Sequence, residues 1–225
     1  MKPAVFIFMI CLLVAATALE ISPFLECYRS ERNQLPDDLH LDILITGIGL
    51  TATTYSITKQ IQIRRPDIII QAGIGGCFNQ DLVLGSVVAI KQEAIGDQAV
   101  IEKGKLKTLF DLNLLTKNQF PFSKGWLINK SDVLKRIKLR KVKGITINEI
   151  TTSKNKIKLY QDIFDPVIES LEGAALHYIC LMEKIQFLQI RSASNYIGER
   201  NKKNWNMKDS IGNLNKEIIR LLKTI

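Results

Sequence analysis

Three side chains stand where this chain could carry chemistry. Glu20 follows an apolar run. Glu172 opens a helical pattern in Ile168-Glu169-Ser170-Leu171-Glu172-Gly173-Ala174-Ala175. Asn195 closes Arg191-Ser192-Ala193-Ser194-Asn195, after a β-like run that begins at Phe187. A carboxylate stripped of part of its water can act as a general base. An ionised carboxylate can accept from two neighbouring hydroxyls, and a primary amide offers two N–H donors. Arg191 can orient a water or a carboxylate through a charge-assisted hydrogen bond. Each also has a plainer reading. Glu20 and Glu172 suit helix N-termini, Asn195 suits a turn at a strand end, and Arg191 suits a buried ion pair.

Such residues need a sheet to hold them. Apolar runs alternate with amphipathic stretches, which predicts an α/β fold. Strands are expected over 5–14, 41–46, 67–72, 87–90, 143–150, 165–168 and 187–192. Helices are expected to begin at 21–27 and to cover 50–61, 172–184 and 205–224. The last carries Ile211, Leu214, Ile218, Leu221 and Leu222 on one face. Gly73-Ile74-Gly75-Gly76 reads as a turn in which glycine permits close backbone approach and positive φ. Residues 97–143 are polar and lysine-rich, and are expected to hold loops, one or two short helices and a β-ribbon. No repeat, linker or low-complexity segment interrupts the pattern. The 225 residues are therefore read as one domain, 1–225. Ligands of open α/β sheets bind beyond the carboxyl ends of the strands, where the Arg191–Asn195 segment is expected.

The net charge is +9. Its clusters, 135–143 and 200–203, lack aromatic interleaving and any nucleic-acid motif, so a solvated surface is expected and no nucleic-acid partner. A basic rim would also attract an anionic small substrate. Cys11, Cys27, Cys77 and Cys180 are scattered, and His40 and His177 are the only histidines. No disulfide framework, metal or cofactor is expected. Met1-Lys2 and the apolar run from Val5 to Ala18 have the look of a secretory signal, with small residues at Ala15-Ala16-Thr17-Ala18. A buried parallel strand gives the same pattern. The strand reading is favoured, because Glu20-Ile21-Ser22-Pro23 resembles a helix start and Glu20 needs the run in place. The run is short for a membrane span, so no membrane partner is expected and a cytoplasmic location is.

Six ordered segments together resemble the nucleoside phosphorylase and nucleosidase superfamily, in its methylthioadenosine/adenosylhomocysteine nucleosidase branch. They are Ala15–Glu20, Thr46-Gly47-Ile48-Gly49, Ala72–Gly76, Leu84-Gly85-Ser86-Val87-Val88, Ser170–Ala175 and Arg191–Arg200. Within that branch, Gly144-Ile145-Thr146-Ile147-Asn148 and the last segment are most similar to the futalosine-cleaving hydrolases of menaquinone synthesis. The resemblance implies a three-layer sandwich whose central mixed, partly barrel-like sheet is flanked by helices. It implies a small purine nucleoside substrate and a homodimer. It assigns Glu20 to water activation and Glu172 to the ribose hydroxyls, with Leu171 against the ribose face. Gly73, Gly75 and Gly76 would line the sugar with backbone, and Ile147 would also contact substrate. Arg191 would orient the water or Glu20.

Asn195 separates the substrates. Adenosine-type relatives place an aspartate there. Hypoxanthine presents two acceptors, N7 and O6, which two amide N–H groups can serve. An aspartate oxygen facing O6 would set acceptor against acceptor. Asn195 therefore points to a 6-oxopurine. Arg200, Lys202 and Lys203, which follow Asn195, are the candidates to meet a benzoate on such a substrate, although surface cations are the plainer and favoured reading. The alternatives are a methylthioadenosine/adenosylhomocysteine nucleosidase, a phosphorolytic enzyme needing an arginine cluster, for which Arg64-Arg65 is poorly placed, and a non-catalytic nucleoside-binding module.

Overall fold

The computed structural model describes residues 9–30 and 35–225. In chain order it runs β1 (Met9–Ala15), α1 (Ser22–Ser30), β2 (Leu39–Ile45), α2 (Leu50–Ile63), β3 (Ile68–Cys77) and β4 (Val87–Ile95). A ribbon follows, β5 (Ala99–Glu102) and β6 (Lys105–Thr108), then β7 (Leu127–Ile128), α3 (Asp132–Arg136), β8 (Lys141–Thr146) and α4 (Lys154–Phe164). The C-terminal third is β9 (Ile168–Ser170), α5 (Gly173–Glu183), β10 (Gln186–Tyr196) and α6 (Met207–Leu222).

β1 lies between β2 and β3 and is parallel to both. Its Cys11, Leu13 and Ala15 pack with Phe24 of α1 and with Leu214, Ile218, Leu221 and Leu222 of α6. Its Leu12 and Val14 pack on the other face with Ile57 and Ile61 of α2 and with Leu176 and Ile179 of α5. Both faces are covered, which is why the run is continuously apolar rather than alternating. Each fully buried aliphatic side chain in these layers contributes about 1.5–3 kcal/mol. The expected start of this strand at residues 5–8 lies outside the described residues.

The sheet closes on itself. β3 pairs with β10 in parallel and, at its C-terminal end, with β9 antiparallel; β9 pairs β8, β8 pairs β4, and β4 returns to β10. Five strands form this barrel-like part, and β1 and β2 extend it as an open wing. The three-layer architecture is as expected.

Gly73–Gly76 is not a turn. It continues β3, and none of Gly73, Gly75 and Gly76 has positive φ. Close approach is what requires glycine: a Cβ on Gly75 would lie 2.8 Å from the Glu169 carbonyl oxygen, and one on Gly76 would strike Ile197. β9 and β10 can therefore close in from both sides. Residues 147–150 are not strand either. Ile147 still gives its N–H to the Ser170 carbonyl, but Asn148 gives its own to Asp97 and Thr151 to Glu169, so side chains replace the ladder beyond Ile147. The short strand lies at 168–170 rather than 165–168, and β10 runs on to Tyr196. α4 lies in a stretch without a helix expectation. The ribbon and the short helix in 97–143 are present.

Candidate active site

A cavity of about 330 Å³ opens at the carboxyl ends of β1, β3 and β10. Glu20, Leu171, Glu172, Gly75, Gly76 and Asn195 all line it.

Glu20 sits in the turn between β1 and α1 and is buried. It does not cap α1. Its Oε2 accepts from the Thr17 N–H at 3.0 Å and the Thr17 hydroxyl at 3.1 Å, and its Oε1 accepts from the Ile74 N–H at 3.0 Å. A carboxylate has about four acceptor directions, so one remains for a water or substrate. Thr17 escaped the sequence reading, although Thr17-Ala18-Leu19-Glu20 has the Thr-x-x-Glu spacing of reciprocal local bonding.

Glu172 is the N-cap residue of α5, yet its carboxylate makes no cap bond. Other groups take the first helical N–H donors: Ser170 Oγ accepts from Gly173 at 3.2 Å, and Thr146 Oγ1 accepts from Ala174 at 2.8 Å. Glu172 is thereby free to reach across the sheet. Its Oε1 accepts from the Gly49 N–H at 3.1 Å, and its Oε2 pairs with Arg191 Nη2 at 3.3 Å. Gly49 has φ +92°, a conformation that costs glycine little and that aims its N–H at Glu172.

Arg191 corrects an expectation. It is fully buried and does not line the cavity. Its partners are Glu172, Gln71 Oε1 at 3.1 Å and the Ile74 carbonyl at 3.4 Å, not Glu20. It lies behind the cavity floor, paired with Glu172. Gly73 does not line the cavity either; a Cβ there would strike Arg191 and lie 2.9 Å from Glu20 Oε1. Ile147 is buried in the core with Ile145, Leu159 and Tyr160 instead of facing the cavity, because the strand expected to carry it ends at Thr146.

Asn195 lies within β10, not in a loop. A bulge puts Ala193 opposite Gly75 and Asn195 opposite Gly76, leaving Ser194 as the extra residue. Bulges re-aim side chains in this way. The Ser194 hydroxyl donates to Asn195 Oδ1 at 2.9 Å, and Asn195 Nδ2 donates to the Tyr196 carbonyl at 3.1 Å. A carbonyl can only accept, so Tyr196 fixes which way the amide points. One Nδ2 hydrogen is spent on that bond, and one is left for a ligand rather than the expected two. Of the three cations near Asn195, Arg200 lines the cavity and Lys202 and Lys203 do not.

The cavity is acidic. Glu20, Glu169, Glu172 and Glu199 line it, and Arg200 is the one cation among its described lining residues. Burial raises the pKa of Glu169, which accepts the Thr151 N–H at 3.2 Å. Arg64 and Arg65 are far from this chemistry, paired with Asp42 and Glu183 in exposed contacts. Among the described residues no group of three or more His, Cys, Asp or Glu side chains could hold a metal ion.

Residues 42–225 match the model of the phosphorylase superfamily. The chain belongs to that superfamily. Among curated relatives, the 5′-methylthioadenosine/S-adenosylhomocysteine nucleosidase of Buchnera aphidicola is 25% identical over 166 residues, 69% of this chain and 66% of the relative. The chain thus spans just under two thirds of that relative's length. The futalosine hydrolase of Thermus thermophilus is 22% identical over 183 residues, 80% of each chain. The superfamily member is also similar in fold to two solved Helicobacter pylori proteins. One is a 5′-methylthioadenosine/S-adenosylhomocysteine nucleosidase, at 14% identity and TM-score 0.77, covering 97% of this chain and 99% of the other. The other is a futalosine hydrolase, at 15% identity and TM-score 0.77, covering 96% and 98%.

Proposed function

We propose that this phosphorylase-superfamily member is a hydrolase acting on the N-glycosyl bond of a purine nucleoside, and that its substrate is a 6-oxopurine nucleoside of the futalosine type. Glu20, ionised and held by three donors, takes a proton from a water that attacks C1′ of the ribose. Glu172 accepts hydrogen bonds from the ribose hydroxyls, and its negative charge favours the oxocarbenium-like sugar as the bond to the base breaks. Leu171 packs on the sugar. The free Asn195 N–H donates to O6 of the departing 6-oxopurine, whose N7 takes a proton from solvent. The Ser194 and Tyr196 bonds favour an amide at residue 195, because an ionised aspartate would set an oxygen against the Tyr196 carbonyl.

The observation that carries hydrolysis over phosphorolysis is the acidic lining. Phosphate would have to enter beside four carboxylates, with Arg191 already neutralised by Glu172. Arg200 at the cavity wall suits an anionic 5′ substituent such as a benzoate. Similarity to a futalosine hydrolase and to 5′-methylthioadenosine/S-adenosylhomocysteine nucleosidases supports the reaction class equally for both. The second reading, cleavage of methylthioadenosine, is favoured by the single free donor on Asn195, since adenine N7 needs no more than one. We further place the enzyme in the cytoplasm, as a homodimer serving menaquinone synthesis. No helix among the described residues is long and apolar enough to cross a membrane. Leu19 and Ile48, both on the cavity wall and more than 60% exposed, offer an apolar surface to a second copy.

The test is to incubate purified protein with futalosine, inosine and methylthioadenosine, with and without phosphate, and to identify the released base by chromatography. Hypoxanthine from futalosine without phosphate is expected. Adenine from methylthioadenosine alone would replace the substrate assignment, and release only with phosphate would replace the reaction.

A further inference from the structure

A second polar cluster lies behind the cavity floor, between β10, β4 and α5, and the proposed reaction makes no direct use of it. Gln189 of β10, Glu93 of β4 and His177 of α5 are fully buried, as is Arg191. Neither amide atom of Gln189 has a hydrogen-bond partner, and Glu93 Oε2, His177 Nε2 and Arg191 Nε lack one as well. A buried amide unpaired at both ends is costly, so its surroundings require an account.

Strand register sets the amide beside Arg191. Gln189 and Arg191 are two apart on β10 and share one face of the strand. Gln189 stands opposite Gln71 of β3, and Arg191 Nη2 turns back to Gln71 Oε1 at 3.1 Å. The guanidinium therefore lies over the row that the two glutamines form. Its terminal nitrogens are engaged by Gln71, Glu172 and the Ile74 carbonyl. Only Nε, on the side of its own strand, is left without a partner. On the α5 side, a Cβ on Gly173 would strike Gln189 Nε2 and lie 2.7 Å from Glu93 Oε2, so the amide nitrogen and that carboxyl oxygen are neighbours. Gln189 also faces His177. His177 Nδ1 lies 3.0 Å from the Leu127 carbonyl, so Nδ1 carries the proton and Nε2 is a bare acceptor.

These directions decide which way the amide faces. Arg191 Nε can only donate and His177 Nε2 can only accept. Gln189 meets both when Oε1 turns to Arg191 and Nε2 turns to His177, and the second Nε2 hydrogen then serves Glu93 Oε2. The reverse placement sets Oε1 against the His177 acceptor and an N–H against the Arg191 N–H. The orientation is the same whether Glu93 is ionised or neutral, because Gln189 Oε1 has two lone pairs and can take a Glu93 proton beside Arg191 Nε. We propose that Gln189 is a positioning residue for Glu172, on the reading that Glu172 holds the ribose hydroxyls. With Gln189 on Nε and Gln71 on Nη2, the guanidinium is fixed in the orientation that presents Nη2 to Glu172. Without Gln189 the charge stays, but its direction is lost.

NMR of the side-chain N–H groups in isotopically labelled protein tests the contact without any substrate. In the wild type, the Gln189 amide hydrogens should give stronger cross-relaxation to the His177 ring than to the Arg191 Nε–H; the reverse would overturn the proposal, and no variant has to fold for that result. The Arg191 Nε–H itself should lie downfield, with the hydrogen-bonded groups. Gln189→Met keeps the length of the side chain and removes both polar atoms, and should move that resonance upfield. A resonance that stays in place would overturn the contact. The second arm is kinetic. A well-placed Glu172 favours a ribose over a deoxyribose, so the ratio of kcat/KM for futalosine to that for its 2′-deoxy analogue should fall about tenfold in Gln189→Met. Loss of folded protein alone would lower both rates alike, and an unchanged ratio would overturn the positioning role. Wild-type protein that releases no base from futalosine overturns the nucleosidase reading, and the NMR comparison then decides the Gln189 contact alone.

Discussion

The two ends of the cavity are built differently. At the sugar end, Glu20 accepts from Ile74, 54 residues away, as well as from Thr17, and Glu172 accepts from Gly49, 123 residues away, so long-range contacts help to fix both carboxylates. At the base end, Asn195 is oriented by its immediate neighbours, Ser194 and Tyr196, on either side of a bulge. Changes at the sugar end are therefore expected to bear on stability as well as on catalysis. Changes at the base end can alter recognition while the barrel stays intact. On the proposed roles, the reacting carboxylates have long-range anchors and the base contact has neighbouring ones.

The largest effect that would sharpen this contrast is on rate. Glu20→Gln keeps the shape and removes the base, so kcat should fall by about 10²–10⁴. With its oxygen in the Oε2 position the amide keeps both Thr17 bonds and loses only the one from Ile74, and circular dichroism should show an unchanged fold. A fall below tenfold would remove Glu20 from the reaction. Next is stability. Arg191→Met leaves Glu172 buried beside no countercharge, which should cost about 3–5 kcal/mol in urea unfolding. A loss under 1 kcal/mol would mean that the floor is not held by the pair.

His177 gives a somewhat smaller, pH-dependent effect. Burial pushes its pKa down to about 4, against the bond to Leu127 and the Gln189 side chain, with Arg191 acting in the same sense as burial. A depressed histidine contributes stability that is present above its unfolded value of about 6.5 and is lost as pH falls towards 4. Relative to a variant without this imidazole, the wild type should lose about 3 kcal/mol across that window. His177→Gln should remove most of the slope. Leu171→Ala is expected to be smaller still, raising KM for the nucleoside with kcat nearly unchanged, at about 1–2 kcal/mol in kcat/KM.

Much of this arrangement was legible in the sequence, for physical reasons that differ by region. β1 announces itself because both its faces are covered, and α6 because Leu214, Ile218, Leu221 and Leu222 recur at helical spacing. Glu20 and Glu172 stand out as carboxylates at the ends of apolar patterns. The partner of Arg191 was hidden, because Glu172 reaches it only after Ser170 and Thr146 relieve it of capping α5. Ile147 was misplaced because side-chain bonds from Asp97 and Glu169 end β8 early. Gly73–Gly76 was taken for a turn because glycine looks the same whether it permits positive φ or the approach of two strands. Glu93 was hidden most completely. It follows Lys91-Gln92 at the end of an apolar run and reads as surface, whereas the closed sheet turns it inwards.

The most direct test is at the base end. The competing values of kcat/KM for futalosine and methylthioadenosine should be measured for the wild type and for Asn195→Asp. The account predicts that the wild type favours futalosine and that Asn195→Asp shifts the ratio towards methylthioadenosine by about 1–3 kcal/mol, roughly five- to 150-fold. An unchanged ratio, or a wild type that favours methylthioadenosine, would contradict the claim that Asn195 selects the base.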